Sequence, residues 1–147
     1  MSNGTATGMV LLFVVVVFPI FFTALWISIT WLMSFIGGWG RVAKRYPAIA
    51  RPDEGLMLRR VTGMFGMARY KLVLTTITTE TGIYIESRKV FRIGHPPLFI
   101  PFSAMHGLRK QTLFFWEYVA FDVDEPALAS VRLPSKAFEG VDIEIGR

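Results

Sequence analysis

One stretch decides the fold: MVLLFVVVVFPIFFTALWISITWLMSFI, Met9–Ile36, a run of 28 residues without a charged side chain. An α-helix rises about 1.5 Å per residue, so this run extends about 42 Å, whereas the hydrocarbon core of a bilayer is about 30 Å thick. That length accommodates one crossing of a membrane and is too short for two. We therefore predict a short tail over residues 1–8 and a single transmembrane helix over residues 9–36.

A cleaved signal peptide is the main alternative for this segment. Such a peptide has a basic start, a shorter apolar core and a small-residue cleavage site. Residues 1–8, MSNGTATG, carry no basic side chain, and no site of that kind follows the apolar run. We therefore expect the segment to remain in the protein as a membrane anchor.

Basic side chains lie on only one side of the predicted span. None precedes it, and six follow it closely: Arg41, Lys44, Arg45, Arg51, Arg59 and Arg60. Because basic residues beside a span tend to stay in the cytoplasm, we predict an inner-membrane protein with its N-terminus outside and its C-terminal domain cytoplasmic.

The residues just after the span are predicted to form its exit from the membrane. They read GGWGRVAKRYP and open a basic linker over residues 37–55. Trp39 is expected at the headgroup level, where its amphipathic ring is favourable. Arg41, Lys44 and Arg45 are expected to face the same interface, with membrane lipids as partners. This basic collar either serves membrane topology alone or also recognises anionic lipids.

The composition excludes several classes of function. The chain has a net charge of +5 and no cysteine, which excludes disulfides, zinc–thiolate sites and iron–sulfur clusters. Its basic residues crowd the membrane exit, which accounts for them without nucleic acid. No Walker loop or dinucleotide fingerprint is present, and the span offers no histidine to a haem or chlorophyll metal. We predict no cofactor, no metal site, no nucleic acid and no small-molecule substrate.

Several side chains within the span indicate contacts other than lipid. Pro19 is predicted to kink the helix because it removes a backbone hydrogen bond. Four hydroxyl groups are expected to bond to their own helix or to a neighbour, those of Thr23, Ser28, Thr30 and Ser34. Trp26 and Trp31 lie deeper than the usual aromatic belt, so they either face lipid or pack against another protein.

Residues 56–147 are predicted to form a small mainly-β domain, an antiparallel barrel or sandwich, because short apolar alternations recur between turn signals. The predicted strands include Tyr70–Thr79, Gly82–Ser87, Lys89–Ile93, Leu113–Asp124, Ala129–Leu133 and a last short strand in VDIEIG, residues 141–146. A short helix is expected before them, between Trp39 and Tyr46.

The segment Leu113–Asp124 is the strongest of these predicted strands. Alternate residues of a strand face opposite sides of the sheet. Its odd-numbered positions are apolar apart from Glu117 and are expected in the core. The opposite face begins with Phe114, Trp116 and Tyr118, which predicts either a contact surface for a partner or a second small core.

The segment VFRIGHPPLFIPF, Val90–Phe102, is the most distinctive local pattern. Two prolines follow His95, and they fix the backbone and remove two hydrogen-bond donors. We therefore predict a structural loop formed by Gly94, His95, Pro96 and Pro97. A general base needs an orienting partner, and the sequence shows none for His95 or for His106. No ligand spacing supports a metal site built on the two histidines, and we predict no catalytic residue.

In this segment and at the exit of the span, the chain resembles a group of small bacterial membrane proteins of unassigned function. They share one N-terminal span, a Gly-Trp exit with a basic stretch, and an FRxGHPPLxIPW-like loop. The matching residues are Gly38, Trp39, Ala43, Tyr46, Phe91, Arg92, Gly94, His95, Pro96, Pro97, Leu98, Ile100 and Pro101. Phe102 stands where the pattern has tryptophan. The resemblance covers most of the chain and implies no activity, and the β-rich part is similar to bacterial pleckstrin-homology-like domains.

Three functional hypotheses follow from these features. The leading one is a non-catalytic accessory subunit of a larger integral membrane complex, photosynthetic or respiratory, with its helix at the periphery and its β-domain on the cytoplasmic face. Its expected contacts are Trp26, Trp31, Phe114, Trp116 and Tyr118. The alternative is a membrane-tethered module that binds anionic lipid or a signalling partner through Arg41, Lys44, Arg45, Arg59 and Arg60. The third is an enzyme centred on His95, for which the sequence shows no catalytic constellation.

Overall fold

A computed structural model of the protein describes residues 2–144. A long helix opens the chain, in which α1 (Ser2–Leu12), a π-helical turn (Phe13–Val17) and α2 (Phe18–Gly37) follow one another directly. Residues Asn3–Gly37 form a helix of 35 residues that is long and apolar enough to span a membrane. The prediction of one apolar N-terminal helix followed by a small mainly-β domain is confirmed. The helix starts earlier than predicted, since most of the 1–8 tail is helical as well.

The π-helical turn lies immediately before Pro19. Proline has no N–H group, and its ring clashes with the carbonyl four residues earlier, so a widened turn at this point accommodates the ring. Three hydroxyl groups bond back to their own helix as predicted. Thr23, Ser28 and Thr30 each donate to the carbonyl four residues earlier, at 2.8 Å. Ser34 instead donates to a carbonyl of the β-domain.

A short helix, α3 (Trp39–Arg45), follows the long one and confirms the prediction of helix in this region. Gly38 separates the two helices with a left-handed backbone (φ +78°), a conformation that glycine adopts without steric cost. Trp39, Val42 and Ala43 of α3 are buried. Residues 37–55 are therefore not only a linker, because this helix belongs to the core of the domain.

Seven antiparallel strands form one curled sheet, a half-barrel, in the order β4-β3-β2-β1-β7-β6-β5. The strands are β1 (Leu56–Phe65), β2 (Ala68–Thr78), β3 (Gly82–Ser87), β4 (Leu98–Pro101), β5 (Met105–Leu113), β6 (Trp116–Val123) and β7 (Ala129–Pro134). The core lies between this sheet, α3 and a 3₁₀ turn at Ser135–Phe138.

Three predicted strands differ from the structure. The segment Leu113–Asp124 is interrupted by a turn, so it supplies the end of β5 and all of β6. Lys89–Ile93 is a loop that begins with a 3₁₀ turn, because β3 pairs instead with Leu98–Pro101. Residues 141–144 are irregular rather than a strand, and residues 145–147 lie outside the described part of the chain.

Candidate docking surfaces

The loop over residues 88–97 packs lengthwise against the end of the long helix. At one end of this contact the ring of Phe91 lies 5.4 Å from the ring of Trp26. In the middle, the hydroxyl of Ser34 donates to the carbonyl of Gly94. Farther along, the indole N–H of Trp39 donates to the carbonyl of Pro96 at 2.9 Å. The loop thus fixes the β-domain to about three turns of the helix.

Gly94 permits this close contact. Its backbone is left-handed (φ +77°), and a β-carbon there would lie 3.4 Å from the Cα of Trp31. Two prolines follow the histidine, as noted from the sequence, and the chain returns to the sheet where Leu98 pairs with Ile85. The predicted loop residues Gly94, His95, Pro96 and Pro97 therefore lie between the helix and the sheet.

Trp39 is at the centre of a buried aromatic cluster. Its ring centroid lies 4.5 Å from that of Phe65, 5.5 Å from Tyr70 and 5.2 Å from His95. The side chain is fully buried, so the prediction that Trp39 anchors at the lipid headgroups is wrong. The sequence places an aromatic residue beside the span, but only the fold reveals that α3 turns this ring into the core.

His95 is fully buried in the same cluster, and each ring nitrogen has a partner. Nδ1 lies 3.3 Å from the carbonyl of Ile93, which can only accept, so Nδ1 carries the proton. Nε2 then accepts a hydrogen bond from the hydroxyl of Tyr70 at 2.7 Å. Burial lowers the pKa of His95, against an opposing contribution from backbone carbonyls, and burial raises the pKa of Tyr70. Both side chains of this neutral pair are buried, so the pair is suited to packing.

Trp26 and Trp31, the residues predicted to contact a partner within the bilayer, have different surroundings. Trp26 is 39% exposed, and its ring contacts Phe91 of the same chain. Trp31 is 60% exposed and stacks on Phe35, with ring centroids 6.0 Å apart. The contact with Phe91 gives Trp26 a role within the chain, and the exposed ring of Trp31 leaves room for a partner.

The turn between β5 and β6 presents an exposed apolar tip, here called the aromatic tip, Leu113–Trp116. Phe114 is 87% exposed, Phe115 96% and Trp116 68%. Phe114 has a left-handed backbone (φ +57°), which marks the turn. The predicted face of Phe114, Trp116 and Tyr118 on one strand is therefore wrong, as is the core position of Phe115. Aromatic residues favour strands, and this turn lacks the glycine or asparagine that would have indicated it.

A groove of about 770 Å³ lies beside the aromatic tip, between β1 and the start of β6. Five exposed basic side chains line it, here called the basic groove: Arg59, Arg60, Arg69, Lys71 and Lys136. Glu117 is its one acidic lining residue. Among residues 2–144, none of the five basic groups makes an ion pair. The sequence signalled only Arg59 and Arg60, because Arg69 and Lys71 lie on β2 and Lys136 lies in the 3₁₀ turn after β7, and these residues meet Arg59 and Arg60 only in the fold.

The structure gives Arg45, one residue of the predicted basic collar with Arg41 and Lys44, a contact within the chain. Arg41 and Lys44 are exposed on α3. The guanidinium of Arg45 lies 3.6 Å from one carboxylate oxygen of Asp124, and the other oxygen accepts a hydrogen bond from the hydroxyl of Tyr46. That bond and burial raise the pKa of the Tyr46 hydroxyl. Arg45 and Tyr46 therefore both contact Asp124, directly after β6, and Arg45 remains exposed.

His106 and several carboxylates lie in small surface contacts. Asp122 accepts a hydrogen bond from Ser130 at 2.6 Å. His106 lies on β5, and one of its ring nitrogens lies 3.9 Å from a carboxylate oxygen of Glu125. Within residues 2–144, no three His, Cys, Asp or Glu side chains converge on a position suited to a metal ion.

Comparison with known protein families, with characterised proteins and with solved structures gives no match for this chain. The resemblance to small single-span bacterial proteins therefore stays a prediction. The aromatic tip and the basic groove are the two exposed features of the domain from which a function can be inferred.

Proposed function

We propose that the protein is a non-catalytic accessory subunit of a larger integral membrane complex, located in the inner membrane with its β-domain in the cytoplasm. The observation that carries the proposal is the aromatic tip, where three consecutive large rings are exposed to solvent. Monomeric proteins rarely expose a contiguous apolar patch of this kind unless it binds something, and aromatic residues are enriched at protein interfaces.

The position of the aromatic tip favours a partner outside the chain's own anchor. Ala129, at the start of β7, lies beside Gly38 at the end of the long helix, and it pairs with Val123 at the end of β6. Trp116 lies seven residues back along β6, which is about 23 Å of strand. The tip is thus carried away from the helix end, where another subunit can reach it.

The basic groove indicates the charge of that partner. Five basic side chains and one acidic one line a concave surface that adjoins Phe115 and Trp116. Such a surface attracts an acidic segment and repels a basic one, while the rings supply the apolar contact. We therefore expect the partner to present acidic residues next to an apolar patch.

The arrangement of the histidines supports a role without catalysis. His95 is fully buried, and both its nitrogens are engaged within the chain, which leaves no lone pair for a substrate. A catalytic base needs reach to a substrate proton, which this packing denies.

A crosslinking experiment in native membranes tests the proposal. A photoreactive phenylalanine analogue at Phe115 should yield one dominant crosslinked membrane protein, and the same analogue at the fully exposed Ile49 should yield none. The tagged protein, extracted in mild detergent, should carry the same partner in stoichiometric amount. A protein that emerges alone, with no crosslink from Phe115, would contradict the proposal.

Charge reversal sharpens that test. R59E together with K71E should abolish co-purification of the partner, because the groove then repels an acidic segment. K110E reverses an exposed charge on β5 outside the groove and should leave the complex intact. If the purified protein carries only anionic lipid, the alternative of a membrane-tethered lipid- or signal-binding module is supported instead.

A further inference from the structure

The long helix is longer than the hydrocarbon of a membrane is thick, so part of it lies outside the hydrocarbon. Asn3–Gly37 has 35 residues, which is about 52 Å of helix against about 30 Å of hydrocarbon. The excess is about fifteen residues. Because the stretch Met9–Ile36 lacks charges throughout, the apolar pattern alone favours an exit near Ile36.

The loop over residues 88–97 contradicts an exit near Ile36. Its Phe91 contacts Trp26, ten residues or about 15 Å before Ile36. An exit at Ile36 would therefore place Trp26 and Phe91 near the centre of the bilayer, and it would bring Arg88 and Lys89, three and two residues before Phe91, into the hydrocarbon as well. Each basic side chain at that depth costs at least about 2.5 kcal/mol.

An exit near Trp26 removes this conflict. The residues before it, Asn3–Leu25, number 23 and extend about 34 Å, which is enough to cross the hydrocarbon. Trp26 and Trp31 then lie in the interfacial belt that tryptophan prefers. The loop contacts the part of the helix that projects at Trp26, Trp31 and Ser34, whereas Leu32, Phe35 and Ile36 in that part stay 49–69% exposed.

The composition of the loop fits this depth. Arg88 and Lys89 are exposed and make no ion pair with any residue from 2 to 144, whereas Arg92 pairs with Glu86 at 3.6 Å. Val90 is 61% exposed and Ile93 49%. Exposed apolar side chains between unpaired basic ones are typical of a segment that lies in the membrane interface.

We propose that residues 88–93, RKVFRI, form a membrane-contact loop on the leaflet from which the helix emerges. Val90 and Ile93 insert at the level of the headgroups, and Arg88 and Lys89 bind the phosphates of anionic lipids. The loop then holds the β-domain close to the membrane surface and fixes its orientation. This inference does not depend on the proposed subunit role, since it needs only the chain and a bilayer.

Single-cysteine spin labelling of the full chain in vesicles tests the proposal, because the native sequence has no cysteine. V90C and I93C should show an accessibility ratio of oxygen to a water-soluble nickel complex that is several-fold above that of I49C. Labels at Val90 and Ile93 that are as open to the nickel complex as a label at Ile49 would overturn the membrane contact.

Charge reversal separates the headgroup contact from simple proximity. In vesicles rich in phosphatidylglycerol, R88E with K89E should move the label at Ile93 toward water, whereas K110E should not move it. In pure phosphatidylcholine the shift should be much smaller. Thermal unfolding of the charge-reversed variant should match that of the parent, because both side chains are exposed. If R88E with K89E left the depth of the label at Ile93 unchanged in the anionic vesicles, the proposed binding of anionic lipid would be overturned.

Discussion

Two groups of aromatic side chains in this molecule have similar composition and opposite surroundings. Trp39, Phe65 and Tyr70 pack with His95 in a closed cluster where α3 meets the sheet. The rings of the aromatic tip, in contrast, are almost fully exposed. The first group contributes cohesion between helix and domain, and the second is available to another molecule. Loss of a ring should therefore lower stability in one place and binding in the other.

The largest difference is expected between two tryptophan substitutions. Trp39→Ala removes a fully buried ring and its hydrogen bond to Pro96, and should lower the free energy of unfolding by about 3–5 kcal/mol. Trp116→Ala removes an exposed ring and should change it by less than about 0.5 kcal/mol. Denaturant unfolding of the full chain in detergent measures both. Equal losses would remove the distinction between the two groups.

A smaller effect is expected where the helix meets the buried cluster. A β-carbon at Gly37 would lie 2.6 Å from the carbonyl oxygen of Phe65 and 2.9 Å from the β-carbon of Ala68. Gly37→Ala should therefore push the β1–β2 turn from the helix and cost about 3 kcal/mol. Gly8→Ala is the matched control, since nothing lies within 4 Å of its β-carbon. Denaturant unfolding measures both variants. Equal stability changes for Gly37→Ala and Gly8→Ala would contradict the close contact between the helix and the β1–β2 turn.

A single hydroxyl group within the cluster should have a more modest effect. Tyr70→Phe keeps the ring and removes the donor to Nε2 of His95, which leaves a buried acceptor without a partner. The expected loss in the free energy of unfolding is about 1–2 kcal/mol. Tyr118→Phe, at a half-buried position beside the basic groove, should lose less than about 0.5 kcal/mol. A loss for Tyr118→Phe that equals or exceeds the loss for Tyr70→Phe would show that this hydrogen bond adds little to the cluster.

The sequence predicted the parts of the fold that local pattern controls. The uncharged run over residues 9–36 is sufficient to identify the long helix, and β-branched alternation identifies β2 and β3. The prediction of a continuous strand was wrong at the aromatic tip, because ring-rich segments favour strands whether or not a turn interrupts them. The prediction for Trp39 was also wrong, since the direction of α3 after Gly38 depends on packing between distant parts of the chain.

The candidate surfaces were predictable only in part, for the same reason. Phe114 and Trp116 were identified by composition, although on a strand face that the structure does not have. The basic groove was not predicted, because Arg69, Lys71 and Lys136 join Arg59 and Arg60 only when β1, β2 and the 3₁₀ turn after β7 come together. Contacts between separate elements of the fold leave no periodic signal in a single sequence.

The smallest expected effect is the dependence of stability on pH that His95 confers on the buried cluster. Burial lowers its pKa in the folded protein below the ordinary value of 6.5. The unfolded chain therefore binds a proton more readily, and the stabilisation from neutral His95 is complete above pH 6.5 and is lost as the pH falls from 6.5 toward the folded-state pKa. Protonation of His95 would also place an Nε2–H donor opposite the hydroxyl of Tyr70, which donates to that nitrogen in the neutral pair. Thermal unfolding of the full chain between pH 8 and pH 5 measures this decline, which His106→Ala should retain because His106 is exposed on β5. If the decline disappeared in His106→Ala, the pH-sensitive group would lie at the surface rather than in the buried cluster.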